Sequence, residues 1–264
     1  MLLFRTFTIF CACSLLINFA YADAIPQCGK VTIAGNNQWP PYTVLLSSEH
    51  DNDPQSSMNL QGIGIELAEK IFAELDVPIE ETTYADPVHM IQALRNGEID
   101  LIVSTYDYPS LNSDAIIIQP AYLQDRITIA VSTNKSQDIT NWNDLVGLQG
   151  VQESTLISDD QINQFFMNYL QITIKDNLIT NLMAVKNGEY QYIIGSDLQL
   201  TYAINTNDLN SDLVVMKNIY KDGNIHMAFA RNSPCGLYAV YVQKRLQDYK
   251  NNGTVEKIVK KYSY

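Results

Sequence analysis

Apolar residues recur at helical spacing between Gly62 and Leu75, with Leu67, Ile71 and Leu75 on one face and Ala68 and Phe72 beside them. That spacing predicts a helix laid on a sheet. Ahead of it, Lys30 to Ala34 is a short β-rich run. It gives way to Gly35-Asn36-Asn37-Gln38-Trp39-Pro40-Pro41-Tyr42, a polar and aromatic loop whose prolines stop a strand. Ser47 to Asn59, with Asp51, Asn52, Asp53 and Pro54, reads as a surface excursion. Farther on, Ile127 to Val131 predicts a strand and Ile139 to Leu145 a short capped helix. The chain closes with two predicted helices, Leu237 to Tyr249 and Val255 to Tyr262, parted by Asn251-Asn252-Gly253.

The pattern then repeats itself. Ile91-Gln92-Ala93-Leu94-Arg95-Asn96-Gly97-Glu98-Ile99-Asp100-Leu101-Ile102-Val103 returns in type, 91 residues later, as Leu182-Met183-Ala184-Val185-Lys186-Asn187-Gly188-Glu189-Tyr190-Gln191-Tyr192-Ile193-Ile194. Each copy is a helix end, a glycine able to cap it, and a buried strand. The period is too long for a solenoid and suits two similar lobes, although units of this kind are also alike by chance in α/β folds. Each copy ends its strand in small polar residues: Ser104-Thr105-Tyr106-Asp107 in the first, Gly195-Ser196-Asp197 in the second. In open α/β sheets the carboxyl ends of strands are where ligands sit. A third such end, Glu153-Ser154-Thr155, offers hydroxyls and backbone N–H groups either to an anion or simply to a helix start.

Composition narrows the function. Met1 to Ala22 holds one cation, Arg5, an apolar run from Phe7 to Phe19 and the pattern Ala20-Tyr21-Ala22, which predicts a secretory signal peptide cleaved before Asp23. No later stretch approaches the length of a membrane span. After cleavage 16 basic residues face 29 acidic ones, a net charge near −13, which argues against nucleic acid or anionic lipid as partner. Export favours a disulfide between the two remaining cysteines, Cys28 and Cys235. His50, His89 and His226 are isolated and there is no Cys-x-x-Cys, so no metal and no cofactor is expected.

Taken in order, Lys30-Val31-Thr32-Ile33-Ala34, Trp39-Pro40-Pro41-Tyr42, Gly62 to Ala68, Leu94 to Asp100, Pro120-Ala121-Tyr122, Asp144-Leu145-Val146-Gly147, Lys186 to Glu189 and Asn252 to Ile258 resemble the family 3 extracellular solute-binding proteins, the amino-acid-type receptors of ABC importers. The resemblance implies an α/β, type II periplasmic-binding fold: two lobes, each a mixed five-stranded sheet flanked by helices, joined by a two-strand hinge. It divides the chain into a signal peptide (1–22), a first lobe (23–121 plus 227–264) and a second lobe (126–222). The hinges fall near 121–126 and 223–226. On that topology Cys28 and Cys235 reach the same end of the first lobe.

The resemblance also carries a site. Asn36 and Trp39 match first-loop positions that line the ligand. Tyr84 and Asp86 lie near a further aromatic contact, and Ser104, Thr105, Tyr106 and Asp107 match the strand end that hydrogen-bonds it. Ser196 and Asp197 are the second-lobe counterparts, and the strand end Glu153, Ser154 and Thr155 is a further candidate on its residues alone. The family's carboxylate-binding arginine has no equivalent between Tyr108 and Asp114, so Arg126 is the remaining candidate partner for a carboxylate. The family's ammonium-binding aspartate aligns with Ser196, one residue before Asp197, so an ordinary α-amino acid fits this pattern poorly. The expected function is capture of a small polar ligand for an inner-membrane ABC permease by a monomeric periplasmic protein, without catalysis. A cyclohexadienyl dehydratase-like enzyme and a stand-alone sensory protein are the alternatives on this fold.

Overall fold

The computed structural model describes residues 28–47, 58–107, 109–153 and 160–262. The expected signal peptide lies outside them. Among the described residues no helix is long and apolar enough to cross a membrane.

In chain order the elements are β1 (Val31–Asn36), β2 (Gln38–Trp39), β3 (Thr43–Ser47), β4 (Met58–Gln61), α1 (Ile63–Ala73), β5 (Ile79–Tyr84), α2 (Pro87–Asn96), β6 (Leu101–Tyr106), α3 (Pro109–Asn112), β7 (Ala115–Ile117) and β8 (Leu123–Ser132). There follow β9 (Gln149–Glu153), α4 (Asp160–Tyr169), β10 (Gln171–Lys175), α5 (Leu178–Lys186), β11 (Tyr192–Ser196), α6 (Asp197–Thr206), β12 (Leu213–Val215), β13 (Lys221–Ala230), α7 (Ala239–Asn251) and α8 (Thr254–Lys261).

Ten strands hydrogen-bond into two equivalent halves. The first runs β5-β1-β6-β13-β7, the second β10-β9-β11-β8-β12. In each half the first three strands are parallel and the fourth runs against them. The halves touch where Leu123–Ile127 of β8 pairs with Lys221–Ile225 of β13. The hydrogen bonding is therefore continuous because the two crossing strands pair with each other. Above and below that pairing each strand serves its own lobe. The sequence echo is now placed: β6 and β11 are the corresponding strands of the two halves, each following a helix that ends at a glycine with positive φ, Gly97 at 74° and Gly188 at 80°.

The hydrophobic cores divide along the same line. One joins α1, α2, β1 and β6 to β13, α7 and α8, so the end of the chain packs onto its beginning. The others lie within residues 127–219. Leu198, on α6, is an exception that packs against the first core.

One feature differs from the sequence reading. The Trp39-Pro40-Pro41-Tyr42 stretch and the edges of the polar excursion form a small antiparallel sheet, β2-β3-β4. Trp39 faces inward although its neighbours are polar, because pairing with Thr43 turns it.

A bond from Cys28 to Cys235 closes the first lobe, with Cα atoms 4.9 Å apart. A second tie is electrostatic. Glu74, at the end of α1, accepts from Arg245 Nε at 2.6 Å and Nη2 at 2.8 Å on α7, and also from Tyr241 and Tyr249. These donors, Arg245 foremost, hold its carboxyl near a pKa of about 2. A depressed folded-state pKa stabilises above the unfolded value of roughly 4.3, and that contribution fades as pH falls towards the folded one. Glu74→Gln is accordingly expected to lower the urea midpoint at pH 7, and the gap to the parent should close between about pH 4 and 2. A gap that persists unchanged at pH 2 would show that the side chain stabilises by packing alone.

Candidate functional site

The two halves meet at a buried polar knot. Tyr42 follows β2 in the first lobe and is fully buried. Its backbone is held from both directions: its N–H donates to the Trp39 carbonyl and its carbonyl accepts from Gly64 N–H at the start of α1, each at 3.0 Å. The Tyr42 hydroxyl lies 2.9 Å from Ser196 Oγ, so the first loop of one lobe touches the end of β11 in the other. Ser196 also caps α6, accepting from Gln199 N–H at 3.1 Å, which leaves its own proton free to donate.

Asp125, near the start of β8, lies at the centre and is only 3 % exposed. Tyr106, the last residue of β6, donates its hydroxyl to Asp125 Oδ2 at 3.0 Å. The Tyr42 and Ser196 hydroxyls and the Leu198 N–H lie on the same carboxylate's side and favour its charged form. Burial nonetheless pushes the Asp125 carboxyl above its ordinary pKa, outweighing these neighbours. Burial and the neighbouring carboxylate likewise raise the Tyr42 and Tyr106 phenols, which stay protonated donors at neutral pH. Trp39 completes the wall, its ring 4.5 Å from Tyr42 and 5.4 Å from Tyr106. Behind them the Ser104 and Tyr122 hydroxyls pair at 2.7 Å.

The candidate residues fall into groups. Trp39, Tyr106 and Ser196 belong to the knot itself, and Ser104 and Thr105 are buried in the strand that ends there. The Thr105 hydroxyl donates to the Tyr106 carbonyl at 3.0 Å. Asn36 is buried at the end of β1, where its side-chain oxygen accepts from Gln38 N–H at 2.8 Å. Glu153, buried at the end of β9, accepts from Gln199 Nε2 at 3.1 Å. Other candidates are engaged elsewhere. Asp86 caps α2 through Val88 N–H, and Tyr84 is a half-buried strand end. Asp107 is exposed and accepts from Gln119 Nε2 at 3.3 Å. Asp197 pairs with Lys217. The Arg126 guanidinium stacks on Tyr220 at 4.1 Å. With Asp125 and Leu198 of the knot, and with Asp197 and Lys217, it lines a recess of about 360 Å³ beside the hinge. Ser154 and Thr155 lie outside the described residues.

Sequence reasoning missed Tyr42, Asp125 and Gln199 as site residues. Asp125 carried little signal, being one of three polar residues at the start of a strand that is apolar farther on.

Comparison with known proteins places this geometry. The family model described as bacterial extracellular solute-binding proteins, family 3, matches residues 31–264. No curated protein matches the chain in sequence. Among solved structures, an amino acid ABC transporter substrate-binding protein from Streptococcus pneumoniae bound to L-arginine is similar, with a TM-score of 0.72 and 16% identity over 89% of this chain and 94% of that one. The GluR0 ligand-binding core in complex with L-glutamate gives 0.71 and 13% over 90% and 99%. The ancestral amino acid-binding protein AncCDT-1, a precursor of cyclohexadienyl dehydratase, gives 0.69 and 17% over 89% and 96%. At these identities the likeness is one of fold.

Proposed function

The chain belongs to the bacterial extracellular solute-binding proteins, family 3, and from that membership we propose that it captures a small polar solute between its lobes, in the periplasm, for delivery to an ABC importer. The observation that carries this reading is the convergence of both lobes on one buried carboxylate. Tyr42 and Tyr106 come from the first lobe, and Ser196 and the Leu198 N–H from the second. Each donor is weak when solvated and strong when the lobes close and exclude water. The paired strands β8 and β13 are the only backbone crossings among the described residues, and a two-strand crossing is the kind of element about which lobes open and shut.

The test is a thermal-shift screen of the secreted, disulfide-intact chain against amino acids, amines, organic acids and osmolytes. A ligand present at a hundredfold excess over its Kd stabilises by about 2.7 kcal/mol, which for a chain this size raises the Tm by roughly 5–10 °C. Compaction in solution scattering on adding the same compound is expected alongside it. Prephenate and arogenate are expected to be left unconverted, and turnover of either would move the reading to a dehydratase. If no compound shifts the Tm and none is converted, solute capture is the wrong reading.

A further inference from the structure

The contact between Tyr42 and Ser196 joins residues 154 apart in sequence, one from each lobe, and both sides of it are fixed. Tyr42 is held by its own backbone, whose N–H donates to the Trp39 carbonyl and whose carbonyl accepts from the Gly64 N–H. Its ring packs on that of Trp39. Ser196 ends β11, where it pairs with Ile127 of β8, and it caps α6 through the Gln199 N–H. The two hydroxyls therefore meet at 2.9 Å on backbone that is already in place, with little side-chain freedom left to lose.

A second contact crosses at the same place. Leu198, two residues beyond Ser196, packs against the core of the first lobe. The seam around it is not sealed, because Leu198 and Thr201 on α6 share with Val259 on α8 the lining of the recess of about 360 Å³. The apolar contact on that side is accordingly small. When the lobes part about β8 and β13, both hydroxyls are free to bond to water, so the hydrogen bond between them counts only at its net worth. That worth is roughly threefold to tenfold in the ratio of closed to open molecules. Contacts of this size bias an equilibrium without locking it.

We infer that Tyr42, Ser196 and Leu198 form a clasp that draws the empty lobes together, so that part of the solute-free population is already closed. This rests on the solute-binding reading only in taking the lobes to move. The clasp is made from the chain's own side chains and needs no solute. A solute then completes a closure that the protein has begun, and less of its binding energy goes into bringing the lobes together. The solute still compacts the molecules that remain open.

Small-angle scattering of the disulfide-intact chain, stripped of carried-over solute by unfolding and refolding, reads the clasp without any ligand. Tyr42→Phe keeps the ring and removes the hydroxyl. It is expected to expand the free protein, the closed-to-open ratio falling roughly threefold to tenfold. Leu198→Ala is expected to expand it as well, and the double variant further. Tyr122→Phe is the control: its hydroxyl pairs with Ser104 at 2.7 Å inside the first lobe, so a buried phenol hydrogen bond is lost and the dimensions stay parental. A folded Tyr42→Phe with the parental radius of gyration overturns the clasp, as does equal expansion in Tyr122→Phe, and solute capture then stands without it. Should Tyr42→Phe fail to fold, Leu198→Ala decides by the same reading. Expansion confined to the clasp variants supports the clasp even where the thermal-shift screen finds no solute, in which case the capture reading alone falls.

Discussion

Reducing the bond between Cys28 and Cys235 is expected to lower the Tm by roughly 10–20 °C. The two cysteines are 207 residues apart in sequence. In the chain-entropy description, a cross-link closing a loop of that length removes about 5 kcal/mol of unfolded-state freedom, and a chain of this size loses roughly 2–4 °C per kcal/mol. The position of the bond adds to its effect. Cys28 precedes β1, and Cys235 follows the return of β13 to the first lobe. The bond thus joins the first strand of that lobe to the segment leading into α7 and α8, which cover its core. Melting curves with and without a reductant, with free thiols counted at the end, check this. The Cys28→Ser/Cys235→Ser double variant is expected to match the reduced parent. Ligand affinity measured well below the Tm should change little, because the cysteines lie at the opposite end of β1 from Asn36 and the knot. Fully reduced protein melting at the parental temperature would remove the bond from any account of stability.

Much of this architecture was legible because it is written in apolar periodicity. The helical stripe of Leu67, Ile71 and Phe72 and the two strands preceded by Asn-Gly turns announce buried surfaces, and the structure buries them. The echo located β6 and β11 as corresponding strands before any topology was known. The knot at their ends was only partly legible. Trp39, Tyr106 and Ser196 stood out as polar or aromatic residues at strand ends. Asp125 did not, because a carboxylate ahead of an apolar strand looks like solvent-exposed punctuation. Its burial depends on Tyr42 and Ser196, 83 and 71 residues away in sequence, which local patterning does not report. Asp86, named because the resemblance puts an aromatic contact near it, serves as a helix cap. A capping aspartate and a binding aspartate look alike in sequence, since both follow from a short acceptor beside free N–H groups.

The segment Gly62-Ile63-Gly64 ties stability to the site, and Gly62→Ala is the substitution expected to show it most sharply. Gly62 has φ 126° and ψ 176°, a region that residues with a Cβ essentially do not occupy. A Cβ there would lie 2.4 Å from the Tyr42 carbonyl oxygen and 2.9 Å from that of Pro41. Both obstacles are backbone, so no rotamer change relieves them. The close approach exists because the first N–H groups of α1, on Ile63 and Gly64, donate to the Pro41 and Tyr42 carbonyls at 3.0 Å each. The helix N-terminus, whose N–H groups lack partners within the helix, thereby fixes the loop that presents Tyr42 to Ser196 and Asp125. Forcing a Cβ between them must push Tyr42 out of the knot. Gly62→Ala is expected to cost about 3 kcal/mol or more, and ligand affinity should fall at least roughly tenfold in whatever fraction folds. Gly147→Ala is the control that separates conformation from contact. Gly147 has φ 85°, yet nothing lies within 4 Å of a Cβ built on it, so only left-handed strain of about 1–2 kcal/mol is expected, with affinity unchanged. Denaturant unfolding and calorimetric titration of both variants decide the matter. Equal costs for the two glycines, or parental affinity in Gly62→Ala, would mean that the grip of α1 on Tyr42 does not position the site.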